Sequence, residues 1–137
     1  MSSTWQVPNG MPELAGLRAI VVEDEGSIAL LIEDMLTDLG CEIVASAARL
    51  SEACRIAESS EFDFAVLDLN LDGQPALPVA EILTRRGIPF VFSTGYGCDG
   101  VPKEFARCQV IAKPFSFQNL RDKVAAAIDL GRKVKMP

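Results

Sequence analysis

A chain of 137 residues, 49% hydrophobic and 23% charged, has room for one domain with a substantial core and is not of disordered composition. Its net charge of −6 and pI near 4.6 exclude nucleic acid as a direct partner, because neutralising phosphates needs basic clusters. Zero histidines exclude Ser–His and Cys–His nucleophilic sites, imidazole metal ligation and any role as a phosphohistidine carrier.

Residues 1–15 hold two prolines and Gly10 without clear periodicity and read as a flexible extension. The apolar run Leu17–Val22 predicts a first buried strand, ending in Glu23-Asp24. A helix follows from Glu25-Gly26-Ser27, with Ile28, Leu31, Ile32, Met35, Leu36 and Leu39 at helical spacing and Gly40 as its stop. Glu42–Ala47 reads as a second strand and Ser51–Ser59 as a second helix, with Leu50, Ala53, Cys54 and Ala57 inward. Phe64–Leu67 predicts a third strand, closed by Asp68. The segment Asn70-Leu71-Asp72-Gly73-Gln74-Pro75 carries strong turn signals. A short helix over Leu77–Arg86 precedes a fourth strand, Phe90-Val91-Phe92, which ends in Ser93-Thr94-Gly95. Three glycines and a proline between Gly95 and Pro102 oppose a full helix there. Val110-Ile111-Ala112 forms a fifth strand, closed by Lys113-Pro114. A last helix runs from about Ser116 to Leu130, capped by Ser116 or Asn119, and a basic tail over 132–137 follows. Five βα units imply an α/β, doubly wound parallel sheet with helices on both faces and a shortened or mobile fourth helix.

No apolar stretch is long enough to span a bilayer and the start lacks a signal pattern, so the chain is expected to be cytoplasmic, with no membrane partner. Cys41, Cys54, Cys98 and Cys108 lack CxxC spacing and are expected to be reduced.

Sites in such sheets form outside the carboxyl ends of the strands. Strand-end acids are often mere loop solubilisers. Glu23, Asp24 and Asp68 would however crowd on neighbouring strands, and uncompensated like charges raise one another's pKa values. A bound Mg²⁺ relieves that crowding, since it prefers oxygen ligands. Lys113 would point over the same rim, where a compact cation suits a carboxylate or phosphoryl oxygen. Thr94 is the expected hydroxyl partner, ahead of Ser93, and Gly95 lets the backbone approach an anion.

These residues resemble the receiver domain of bacterial response regulators, over residues 17–131. Glu23-Asp24, Asp68, Thr94 and Lys113-Pro114-Phe115 match the five functional positions of that family in order. Pro89-Phe90-Val91-Phe92-Ser93-Thr94-Gly95-Tyr96-Gly97 is similar to the FATGUY subgroup, with Ser93 in place of its alanine. The resemblance implies a flavodoxin-like fold and a phosphorylated aspartate at Asp68, supplied by a sensor histidine kinase or phosphotransfer protein. It implies Asp24, Asp68 and the Asn70 carbonyl as Mg²⁺ ligands, with Glu23 acting through water. Lys113 would pair with Asp68 and then the phosphoryl group, Thr94 would be the switch hydroxyl, and Gly95 would donate its backbone N–H. Nothing after Leu130 reads as an output module, so a downstream protein target, or a role as phosphate sink, is expected. Only self-phosphorylation and self-dephosphorylation are expected, not turnover of an external substrate.

Two departures stand out, one at Val110 and one in the glycine-rich segment 95–102, where the family has its fourth helix. Val110 occupies a position that is usually aromatic in the family, and Tyr96 is a candidate to take over its role or to shield the phosphoryl group. A haloacid-dehalogenase-like phosphatase is one alternative, but it wants an acid two residues after its nucleophile, where this chain has Asn70. A receiver fold kept as a non-phosphorylated scaffold is the other.

Overall fold

The five apolar runs pair as a single parallel sheet in the computed structural model, which describes residues 14–95, 101–105 and 108–135. In chain order the elements are β1 (Arg18–Val22), α1 (Gly26–Asp38), β2 (Glu42–Ala47), α2 (Leu50–Ser59), β3 (Phe64–Asp68), β4 (Asn70–Leu71), β5 (Gln74–Pro75), α3 (Leu77–Arg86), β6 (Phe90–Thr94), β7 (Gln109–Ala112) and α4 (Phe117–Lys135). The sheet order is β2-β1-β3-β6-β7, so β3, buried along its whole length, is the central strand. This is the doubly wound arrangement that the alternating pattern predicts, in the flavodoxin-like order that the resemblance implies.

Alternation along each strand divides the core in two. Ala19, Val21, Phe64, Val66, Val91 and Ile111 meet Ala29, Ile32 and Leu36 of α1 and Leu120, Val124 and Ile128 of α4. On the other face Ile20, Val22, Leu67, Phe90 and Phe92 meet Ala53 and Ala57 of α2 and Val79 and Leu83 of α3. Burying each large apolar side chain contributes about 1.5–3 kcal/mol. On α1 the buried stripe is narrower than its spacing suggests: Leu31 remains 46% exposed, because a rotation of ~100° per residue carries it off the Ala29–Ile32–Leu36 line.

The ends differ from expectation. Leu14, assigned to the flexible extension by its sequence, is buried in the core, and its carbonyl accepts from Cys41 Sγ at 3.4 Å. Gly16 N–H donates to Gly40 O at 2.9 Å, and a Cβ on Gly40 (φ +89°) would stand 3.1 Å from Ala15. Glycine is therefore required there by both conformation and close approach. Residues 1–13 lie outside the described residues. The last helix continues through Lys135 instead of stopping near Leu130, so residues 132–135 of the expected basic tail are helical. Ser116 is its cap: Asn119 N–H donates to Ser116 Oγ at 3.0 Å, and Asn119 Oδ1 accepts from Ser116 N–H at 3.3 Å.

Between β6 and β7, the described residues contain only a 3₁₀ turn, Lys103–Phe105, in place of a fourth helix. It is pinned by Phe105, whose ring stands edge-on to Phe92 at 5.8 Å and to Phe90 at 6.3 Å. Val110 is half-buried against the same cluster. Tyr96, to which the sequence lends a shielding role, lies outside the described residues.

Candidate functional site at the carboxyl rim

The ladder runs one residue past three strands, and this fixes the rim. Glu23 N–H donates to Ala47 O at 3.0 Å, Leu69 N–H to Ser93 O at 3.0 Å and Lys113 N–H to Thr94 O at 2.9 Å. By alternation Glu23 follows Val21, Asp68 follows Val66 and Lys113 follows Ile111, so the three lie on the α1/α4 side of the sheet. Lys113 Nζ sits 3.0 Å from Glu23 Oε1 and 3.2 Å from Asp68 Oδ2. Both acids are buried, Glu23 to 2% exposure and Asp68 to 6%. The ion pair with Glu23 was not anticipated from the sequence, which pairs Lys113 with Asp68 alone. The apolar run before Glu23 was the available signal, because it places that acid on the buried side.

Burial, then the neighbouring Asp68, pushes the Glu23 carboxyl up to about 7, while Lys113 and the Glu25 N–H pull it back. Burial acts to lower the Lys113 ammonium, but contact with Glu23 and the charges of Asp68 and Glu23 outweigh it, and its pKa is raised. Asp24 faces solvent. Carboxylate oxygens of Glu23, Asp24 and Asp68 all lie within 4.8 Å of one another. Three carboxylates against one ammonium leave negative charge in excess, and the donors are all oxygen. That set fits a hard divalent cation such as Mg²⁺.

These groups open into a cleft of about 750 Å³, lined among others by Asp24, Asp68, Asn70, Thr94, Gly95 and Lys113. The rim thus brings Asp24, Asp68, Asn70, Thr94, Gly95 and Lys113 into one place, with Glu23 buried beside Asp68 and Lys113. Thr94 is buried at the end of β6. A Cβ on Gly95 would meet nothing within 4 Å, so space does not demand glycine there. Asn70 N–H donates to Asp68 Oδ1 at 3.2 Å. The turn segment after it is not an open loop but a two-residue hairpin, β4–β5, whose Asp72 N–H donates to Asp24 Oδ2 at 3.0 Å.

The family model of the response regulator receiver domain matches residues 19–125. The chain belongs to the response regulator receiver domain family. It is a module of two-component signalling, whose members are signalling proteins. Among relatives, PdtaR of Mycobacterium tuberculosis is 26% identical over 121 residues, covering 85% of this chain and 59% of that protein. PhyR of Methylorubrum extorquens is 30% identical over 118 residues, covering 80% of this chain and 42% of PhyR. The chain therefore spans well under two thirds of these relatives. The solution structure of SdrG from Sphingomonas melonis Fr1 is 37% identical with a TM-score of 0.75, covering 82% of this chain and 97% of that one. A BeF3-activated conformation of SdrG also matches, with a TM-score of 0.71. Nothing in these comparisons supports the phosphatase alternative. Among the described residues, no helix is long and apolar enough to cross a membrane.

Proposed function

We propose that the chain accepts a phosphoryl group on Asp68 from a sensor histidine kinase or phosphotransfer protein, and passes that state to a downstream protein by contact. The observation that carries this reading is the setting of Asp68: a carboxylate at the end of the central strand, held 3.2 Å from Lys113 Nζ, with Thr94 lining the same cleft. In the transfer, an Asp68 oxygen attacks phosphorus, the P–N bond to the donor imidazole breaks, and its electron pair returns to the ring nitrogen.

The residues of this chain serve positioning and charge. Asn70 N–H and Lys113 Nζ orient the Asp68 carboxylate, one oxygen each. Lys113 is placed to follow charge onto a phosphoryl oxygen, and the Thr94 hydroxyl and the Gly95 N–H are the donors for the remaining ones. Asp24, Asp68 and the Asn70 carbonyl would hold Mg²⁺, with Glu23 acting through water. A bound divalent ion supplies neutralisation of phosphoryl charge. The BeF3-activated conformation of the relative SdrG supports the reading, since a fluoroberyllate is shaped like a phosphoryl group.

Intact-mass analysis after incubation with acetyl phosphate and Mg²⁺ tests it. One phosphoryl adduct is expected on the wild type, and none with EDTA or on Asp68→Asn. An adduct that persists on Asp68→Asn would place the acceptor elsewhere. Rapid consumption of acetyl phosphate without an adduct would point instead to a phosphatase.

A further inference from the structure

The β4–β5 hairpin lies directly against the acid cluster, and beyond Asn70, at its start, it has no place in the reading above. Its turn is Asp72-Gly73, with φ of +50° and +86°, between the paired residues Leu71 and Gln74. Two positive φ values at the centre of a two-residue connection match the twist of the flanking strands, and Asp-Gly is suited to them. The hairpin is anchored from below. Leu71 is 1% exposed in the α2/α3 core, and Ala76 N–H closes its base onto Leu69 O at 2.9 Å.

Its two turn amides do not point to solvent. Asp72 N–H donates to Asp24 Oδ2 at 3.0 Å, and Gly73 N–H donates to Asn70 Oδ1 at 2.8 Å. Asp24 is exposed, and among the described residues its carboxylate accepts no other hydrogen bond, so without this one it would be free to turn about its side-chain torsions. Resting on the proposed metal ligands, we infer that the β4–β5 hairpin is a positioning element for the cation. Its turn amides fix the Asp24 carboxylate and the Asn70 side chain before any ion arrives, and so set which oxygens remain to receive it.

The conformation of the turn gives the handle. A Cβ on Gly73 would meet nothing within 4 Å, so an alanine there clashes with no neighbour and acts only through its φ of +86°. Asparagine tolerates left-handed backbone far better than alanine or a β-branched residue. Closed hairpin would be the binding-competent state, and apparent affinity falls with its population.

Calorimetric titration of the unphosphorylated protein with Mg²⁺ reads this directly. Gly73→Ala is expected to weaken Mg²⁺ binding by up to roughly five- to tenfold, the strain of one left-handed alanine. Gly73→Asn is expected to recover most of that loss. Asp72→Asn and Asp72→Val lose the same charge, so their ratio isolates the backbone, and valine should bind several-fold more weakly. In acetyl phosphate reactions, Gly73→Ala should raise the Mg²⁺ concentration for half-maximal rate while the rate at saturating Mg²⁺ stays near wild type. Wild-type affinity in Gly73→Ala, or equal affinity in the two Asp72 variants, would overturn the inference alone. A wild type that binds no Mg²⁺ would overturn it together with the metal reading.

Discussion

Lys113 Nζ stands 3.0 Å from Glu23 Oε1, closer than the 3.2 Å that separates it from Asp68 Oδ2. The lysine therefore bridges two buried acids, Glu23 and the acceptor itself. With the Glu23 carboxyl raised from 4.5 to about 7, the folded state binds its proton more tightly than the unfolded state does. The contribution of this group to stability is then full below pH 4.5 and is lost as pH rises to about 7. In Mg²⁺-free buffer, thermal melts of wild type minus Glu23→Gln should show a loss on the order of 2 kcal/mol across that window. A difference between the two proteins that stays constant with pH would refute the assignment.

Removing the bridge tests the same pocket from the other side. Lys113→Met leaves Glu23 and Asp68 buried without a cation, a situation that costs about 3–5 kcal/mol in fully buried pairs and less here, where the lysine is partly exposed. A loss of about 2 kcal/mol in chemical denaturation at neutral pH and low salt is expected. Part of it should return on adding Mg²⁺, because a divalent ion supplies the missing positive charge. Equal destabilisation with Mg²⁺ and with EDTA would show that the ion does not enter this pocket.

Phe105 holds the connection between the two strands that carry Thr94 and Lys113. Its ring is 6% exposed and meets Phe92 at 79° and Phe90 at 70°, both edge-on. Phe105→Ala should cost about 3 kcal/mol. Amide exchange should accelerate over β7 well before it does over β1, which is paired on both sides and remote from the ring. Uniform acceleration over the whole sheet would mean that Phe105 supports global stability only.

Much of this architecture was legible because burial and periodicity are local properties. The central strand reads as an unbroken apolar run, Phe64–Leu67, closed by Asp68, and it is buried on both faces. The rim was legible too, since strand ends in such a sheet converge and Glu23, Asp24, Asp68, Thr94 and Lys113 each terminate a run. What escaped depends on neighbours distant in sequence. Nothing near Leu14 signals that it enters the core beside Cys41, and the apolar spacing of α1 does not separate Leu31, which stays exposed, from Ile32, which is buried. The hairpin was half legible: Asp72-Gly73 announces a turn, but its amides meet Asp24, 48 residues away, only once β1 and β3 lie side by side.

Two adjacent hydroxyls end β6, and their surroundings assign them different roles: Thr94 lines the cleft and Ser93 does not. Ser93 lies with Val91 on the α1/α4 side, fully buried, and among the described residues its Oγ has no hydrogen-bond partner. Thr94, not Ser93, lines the cleft with Asp68 and Lys113. A buried hydroxyl without a partner carries a desolvation cost of about 1–3 kcal/mol, whereas an alanine of similar shape carries none. Ser93→Ala should therefore be neutral or stabilising by up to about 1 kcal/mol in urea denaturation, with acetyl phosphate labelling unchanged. Thr94→Ala should instead alter the lifetime of the adduct several-fold. If Ser93→Ala changed that lifetime as much as Thr94→Ala, the hydroxyl that serves the phosphoryl group would not be the one that faces the cleft.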